Sequence, residues 1–270
     1  QGQTIAAYDE SIVQGFARAF TGWSFGNSTA FDRADENSPA AWTLFMKPYA
    51  AKHEPGTKKL LNGVTLAAGG SPEKDLEDAL DNIFLHPNVG PFIARQLIQR
   101  LVTSNPSPDY VQRVAAVFNN DAGGQRGNLR AVVRAVLLDS EARNPPVNTT
   151  YGKLREPLVR LANLLRAMNA RSTSGRNAIH YLDSPDASLG QSPLLAPSVF
   201  NYFTPFYRPA GVVAQAGLVA PEFQITTETS IVGGLNFIVG LIRRGSIGSG
   251  DTELKFNFAA FDALAADPVA

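Results

Sequence analysis

Recurring helix-start signals constrain the fold of this chain more than any other feature of its sequence. Ser71-Pro72-Glu73 and Ser107-Pro108-Asp109 each place a serine before a proline and an acidic residue. This order is typical of a first helical turn, because the serine caps an unpaired N–H, proline needs no donor there, and the acid faces the positive end of the helix dipole. Asn128 offers a third cap. The apolar residues after each signal recur at helical spacing and predict consecutive helices between residues 71 and 143.

The same spacing predicts which helix faces are buried. One helix starts near Asp9, and two more are predicted over residues 153–168 and 221–243. The linkers between the helices of 71–143 are short, as in compact bundles. The sequence therefore predicts one helical domain over residues 1–270. The large apolar residues expected to be buried in the helices after Asp9 and Ser71 are Ile12, Val13, Phe16, Phe20, Leu76, Leu80, Ile83 and Phe84.

Two regions depart from the helical pattern. Residues 42–66 contain Asn62-Gly63, whose tolerance of positive φ angles is typical of a type I′ hairpin turn, so a β-hairpin insertion is predicted there. Residues 172–220 are rich in proline and aromatic residues and are predicted to be irregular. The predicted fold class is all-α, mainly a helical bundle, with one small β-hairpin and a long irregular aromatic and proline-rich segment.

The irregular segment carries the stretch APSVFNYFTPFYRPAG, residues 196–211, with five aromatic rings in eight residues. In an extended chain its rings alternate between both faces, which favours a segment held between layers over a flat exposed platform. Phe200 and Phe203 are therefore predicted to fill the core. Tyr202, Tyr207 and Arg208 are predicted to lie nearer the surface, as an edge that contacts a partner.

Composition excludes several classes of function. Lys plus Arg and Asp plus Glu both number 24, so the excess positive charge of a nucleic-acid-binding surface is missing. The chain has no cysteine, which excludes disulfides and thiolate metal sites. The most apolar stretch, residues 231–242, is too short for a transmembrane segment. No cofactor and no metal site are predicted.

His53, Glu54 and Lys58 are the strongest candidates for chemistry, because they place an imidazole, a carboxylate and an amine within one short loop. The imidazole could act as a general base, or the His-Glu pair could hold a metal. The alternative is a hydrogen-bonded turn shaped by Glu54-Pro55-Gly56. No sequence motif of a serine nucleophile or of a phosphate-binding loop accompanies them.

Three other charged or titratable residues are predicted to be structural. His86 precedes a proline at a helix end, where its ring would face the last carbonyl groups. Arg155 and Glu156 are adjacent at a helix start, so their side chains point about 100° apart and serve different partners. A buried ion pair is the expected role of these two residues.

Six short motifs, in the same order along the chain, resemble the bacterial domain-of-unknown-function family 1800. One departure is Glu54, since the family has aspartate after the histidine that matches His53. The motifs are Tyr8 through Trp23 (YDE…FARAFTGW), His53 through Leu61 (HEPGTKKLL), Leu85 through Val89 (LHPNV), Lys153 through Pro157 (KLREP), Gly190 through Leu194 (GQSPL) and Ala220 through Phe223 (APEF).

The resemblance carries expectations about context. It implies an exported protein, secreted or periplasmic, of which this chain holds the C-terminal half or a processed part. The implied partners are the missing N-terminal half and a neighbour-encoded exported family, unknown-function family 1501. The family's activity is unassigned.

Three functions remain open from the sequence. The first is a secreted or periplasmic binding and assembly module whose aromatic-proline segment docks a protein partner. The second is a hydrolase-like enzyme on an extracellular polymer or ester, with His53 and Glu54 near the site. The third is a structural, filament-forming surface protein.

Overall fold

The computed structural model describes residues 6, 8–28, 30–31, 33, 43–148, 150–177, 179, 181–259 and 261–262. They form a mostly helical protein that divides into two compact units, residues 1–92 and 93–270. The helices are α1 (Glu10–Ala19), α2 (Pro72–Phe84), α3 (Val89–Leu101), α4 (Pro108–Asn119), α5 (Leu129–Leu138), α6 (Ser140–Arg143), α7 (Pro157–Ala167), α8 (Val212–Gln215) and α9 (Glu228–Arg244).

The helix starts follow the capping residues of the sequence. The side chains of Asp9, Ser71, Ser107 and Asn128 each accept a hydrogen bond from the backbone N–H three residues later. Thr227 opens α9 with a reciprocal capping box. The helical prediction is confirmed by these elements.

Short antiparallel pairs of strands complete the secondary structure, and there are three among the described residues where the sequence predicts one. The predicted hairpin exists: Asn62 and Gly63 have φ angles of 57° and 74°, as a type I′ turn requires. The strands are β1 (Trp23–Ser24), which pairs with β2 (Lys47–Pro48), β3 (Lys58–Lys59), which pairs with β4 (Thr65–Leu66), and β5 (Ser246–Ile247), which pairs with β6 (Leu254–Lys255).

In the first unit, helix α1 packs on strand β3 and on α2 through small residues. A Cβ added at Gly15 would lie 1.9 Å from the carbonyl oxygen of Lys59, so only glycine permits this approach. Ala19 of α1 and Ala79 of α2 are both fully buried beside Leu60. Small side chains therefore set the distance between backbones in this core.

The predicted buried faces of α1 and α2 are wrong for several large residues. Phe16 packs against the core, but other apolar side chains of these two helices face outwards. The contacts through Gly15, Ala19 and Ala79 turn the larger side chains away from the core. The exposed ones are Val13, Phe20, Leu80, Ile83 and Phe84, at 36 to 51%.

In the second unit, one hydrophobic core cluster forms around α7, α9 and the β5–β6 pair. Leu161 of α7 and Leu241 of α9 are buried, and Leu182 and Leu189 of the irregular segment pack with them. Tyr110 of α4 is fully buried and donates its hydroxyl hydrogen to the carbonyl oxygen of Val136 in α5. Within the described part of the chain, no helix has both the length and the apolar composition to span a membrane.

Candidate functional site

The predicted His53 loop in the first unit forms an enclosed ion cluster. Asp75 of α2 lies at its centre: its Oδ2 is 2.9 Å from His53 Nε2 and 2.7 Å from Lys58 Nζ. The three side chains are only 0 to 4% exposed. Lys58 also donates to the carbonyl oxygen of Gly56, at 3.1 Å. The structure thus brings His53 and Lys58 together, but around an aspartate and away from solvent.

The other side of the imidazole is also hydrogen-bonded. His53 Nδ1 lies 2.9 Å from the carbonyl oxygen of Thr21, and the Thr21 hydroxyl donates to the carbonyl of Arg18. Both ring nitrogens are therefore within hydrogen-bond distance of oxygen atoms. Burial alone would raise the pKa of Asp75, but hydrogen bonds from Lys58 and His53 outweigh it and hold that pKa below its usual value of 3.8.

Two glycines allow this cluster to close. Gly70 faces the Asp75 carboxylate, and a Cβ there would lie 2.2 Å from its Oδ1. Gly22 has a φ of 83° and lies against the backbone and Cβ of His53. Glu54 is not part of the cluster; its Oε1 accepts from the backbone N–H of Gly56 at 3.2 Å, which is the hydrogen-bonded turn considered as the alternative.

Sequence reasoning missed Asp75, although a signal for it exists. Pro72, Asp75 and Ala79 are three and four residues apart and form the buried face of α2. An aspartate on a face of small residues is unusual unless it has a buried partner. The large apolar residues on the adjoining face of α2 masked this signal.

A second buried group of charges lies in the second unit. Lys153 Nζ is 2.6 Å from Glu222 Oε1 and donates to the carbonyl oxygen of Arg100 at 2.9 Å. Glu222 is 1% exposed, and neither of its carboxylate oxygens accepts a well-aligned hydrogen bond from the described residues. Arg100 pairs with Glu156 at 3.5 Å. Two of the six motifs, KLREP and APEF, thus meet in one cluster with no net charge.

The aromatic segment is anchored to this cluster. Phe203 is 2% exposed, and the guanidinium of Arg100 lies 4.1 Å from its ring centroid. Gln99, the neighbour of Arg100 on α3, donates to the carbonyl oxygen of Pro205. Gln191 donates to the Glu156 carboxylate. A core position is therefore observed for Phe203.

Residues 192–202 form a loop that is closed at its base. The hydroxyl of Tyr202 accepts from the backbone N–H of Ser192 at 3.0 Å and donates to its carbonyl oxygen at 2.8 Å. Leu194 and Asn201 both have left-handed backbone, with φ angles of 63° and 72°. Asparagine tolerates this conformation, whereas leucine is destabilised in it. We call residues 192–202 the apolar loop.

The apolar loop presents large hydrophobic side chains to solvent. Leu194 is 102% exposed, Leu195 56%, Val199 95% and Phe200 76%. The prediction of a core position is therefore wrong for Phe200. The left-handed turn at Asn201 lies between Phe200 and Tyr202, so two aromatic residues only two positions apart take separate roles, one exposed and the other clamping the loop.

The remaining predicted residues lie apart from these clusters. Tyr207 is half-buried and Arg208 is exposed. Arg155 is exposed and forms no ion pair with the described residues, so the expected buried pair is wrong for Arg155. Glu156 forms an ion pair with Arg100, but the two side chains are partly exposed, at 20% and 29%. His86 Nδ1 accepts from the backbone N–H of Asn88 in the link between α2 and α3.

The described residues contain no group of three or more His, Asp or Glu side chains arranged to hold a metal ion. His180, one of the three histidines, lies outside the described residues.

Comparisons with known proteins give one finding. A family model described as "Protein of unknown function (DUF1800)" matches residues 2–266. A search of curated proteins and a search of solved structures each returned no match.

Proposed function

We propose that this chain, which belongs to the DUF1800 family of proteins of unknown function, is a binding and assembly module that docks a protein partner through the apolar loop. The observation that carries the proposal is the conformation of Leu194. This large apolar side chain is fully exposed on left-handed backbone, which is costly for leucine. Without a partner the loop has no compensation for exposing Leu194, Val199 and Phe200.

The base of the loop supports this role because it is fixed before any partner arrives. The Tyr202 hydroxyl closes the loop on Ser192, and buried Phe203 stacks on Arg100 immediately after it. A rigid base lowers the conformational entropy that the loop loses on binding. The partner's matching surface is an apolar groove, since the loop offers hydrophobic side chains and no charged residue between positions 192 and 202.

The location and partners that we propose rest on the resemblance to exported proteins. The module is secreted or periplasmic, and its partners are the N-terminal half of a longer precursor and a member of unknown-function family 1501. Leu80, Ile83 and Phe84 give the precursor half an apolar surface on α2. Fractionation of cells that produce the tagged natural gene product checks the location, and recovery in the cytoplasm contradicts it.

Neither alternative function has a comparable observation. A hydrolase that used His53 would need access to an imidazole whose side chain is 3% exposed and bonded on both nitrogens. A filament would need a self-complementary surface, and none of the contacts described above points to one.

The experiment uses a photo-crosslinking amino acid at position 200 of the natural gene product in its own cells. Position 147 is the control, because Val147 is at least as exposed, at 105% against 76% for Phe200, but stands outside the apolar loop. The proposal predicts one defined protein adduct from position 200 and none from position 147. Equal adducts from both positions, or none from either, contradict it.

A further inference from the structure

An apolar pocket in the second unit is separate from the apolar loop. Its volume is about 430 Å³, within the range of small-molecule sites, and residues of α7 and α9 line it. Leu164 of α7 and Ile231, Leu235 and Ile238 of α9 form much of its wall. Aliphatic side chains of this kind fit a hydrocarbon chain better than a polar ligand.

One cation stands among these lining residues. Arg160 is exposed on α7, and its guanidinium has no ion pair or hydrogen bond with the described residues. The two lining hydroxyls are already engaged: Thr226 donates to the carbonyl of Glu222, and Ser230 donates to that of Ile225. Arg160 is therefore the side-chain donor left for a ligand, and its charge selects an anion.

Gly234 of α9 leaves the pocket open on one side. It lines the pocket, and a Cβ built there would have its nearest neighbour, the carbonyl oxygen of Ser188, at 3.7 Å. The position thus has room for a side chain, and glycine weakens a helix by about 1 kcal/mol relative to alanine. Neither packing nor helix stability requires a glycine here, whereas pocket volume does.

We propose that this pocket binds a single-chain amphiphile with an anionic head, such as a long-chain carboxylate. The hydrocarbon chain lies against Leu164, Ile231 and Leu235, and the head pairs with Arg160. The size of the pocket and the single cation among its described lining residues favour this ligand over a helix of a partner protein, which would need a longer groove with several anchoring positions.

Calorimetric titration with dodecanoate, below its micelle concentration, tests the proposal. Dodecyltrimethylammonium has the same chain length and the opposite charge, and it serves as the control ligand. The expected result is saturable binding of dodecanoate at one site and at least about tenfold weaker binding of the cation. Equal binding of both, or no binding of dodecanoate, overturns the proposal.

Two variants locate the site. Gly234→Leu fills the pocket and should lower dodecanoate affinity at least about tenfold, while leucine's better helix propensity preserves folding. Gly240→Leu is the matched control on the same helix, since position 240 does not line the pocket. Arg160→Ala should weaken dodecanoate about fivefold and should not weaken the cation, because arginine at this position repels a cationic head group.

The variants also separate this site from protein docking. If Gly234→Leu leaves dodecanoate binding intact but abolishes the adduct formed at position 200, the pocket belongs to the protein interface and the amphiphile proposal is wrong. If the variant loses dodecanoate and keeps the adduct, the pocket is an independent ligand site, as proposed.

Discussion

Replacing Asp75 with asparagine should destabilise the first unit strongly, although the side chain keeps its size. The ammonium of Lys58 is fully buried, and its partners among the described residues are the Asp75 carboxylate and the carbonyl oxygen of Gly56. The variant leaves this cation with a neutral acceptor only, and His53 loses the anion at its Nε2. Removing one partner of a buried ion pair costs about 3–5 kcal/mol.

Urea unfolding at neutral pH measures this cost. A loss of that size lowers the urea concentration at the unfolding midpoint by roughly 1–2 M. This range applies to a chain whose unfolding free energy falls with urea at a rate near the upper end of the usual range. Hydrogen exchange in α2 assigns the loss to the first unit, because two units can unfold separately. Asp81→Asn is the control on the same helix, since Asp81 is exposed, and it should change stability by less than about 0.5 kcal/mol.

Acid gives a second test of the same contact. The pKa of Asp75 is lowered in the folded state, so its contribution is complete above the unfolded pKa of about 3.9 and is lost as pH falls through the folded value. The difference in unfolding free energy between wild type and Asp75→Asn should therefore shrink below about pH 4. If Asp75→Asn and Asp81→Asn unfold alike at neutral pH, the ion cluster does not support the fold.

Three further predictions concern packing. Gly15→Ala should lower the free energy of unfolding by about 1–3 kcal/mol, because its Cβ would lie 1.9 Å from the Lys59 carbonyl oxygen. The control Gly240→Ala should instead raise it by a few tenths to about 1 kcal/mol, and equal midpoints of the two variants in thermal unfolding would contradict this. Leu241→Ala should cost about 2–5 kcal/mol in urea unfolding, since Leu241 is fully buried, and a loss below about 1 kcal/mol would contradict its core position. Tyr202→Phe removes both hydrogen bonds to Ser192 and should speed amide exchange in the apolar loop, and unchanged exchange would refute the proposed clamp.

Local signals in the sequence predicted the helix starts and the hairpin turn well. The caps at Ser71, Ser107 and Asn128 and the Asn62-Gly63 turn depend on one to four neighbouring residues, so their physics is contained in a short window. The irregular character of residues 172–220 follows equally locally, since prolines remove backbone donors.

The candidate site was less predictable because its contacts join distant residues. His53 and Lys58 were selected, but their role is set by Asp75, which lies about twenty residues further along in another element. Hydrophobic spacing also predicted burial of the α2 face that carries the larger apolar side chains. The observed core contact instead uses Ala79 and the close approach of backbones at Gly15. Residue size alone does not reveal which face another backbone can approach.

In the aromatic segment, the sequence pattern likewise did not reveal which of two phenylalanines, three positions apart, enters the core. Alternation predicted that Phe200 and Phe203 share the core, but left-handed backbone at Asn201 breaks the alternation between them. Phe203 then stacks on Arg100 while Phe200 faces solvent. A single backbone angle therefore separates the core anchor from the proposed docking surface.

The most direct test of protein docking is the affinity of the purified, cross-linked partner for a Leu194→Ser, Phe200→Ser double variant. Both side chains are exposed, so the unfolding midpoint should match that of wild type. If they are central contacts, each costs at least about 1 kcal/mol, so the two together lower affinity at least about thirtyfold, whereas the control Val147→Ser binds normally. Unchanged affinity in a folded double variant would contradict docking through the apolar loop.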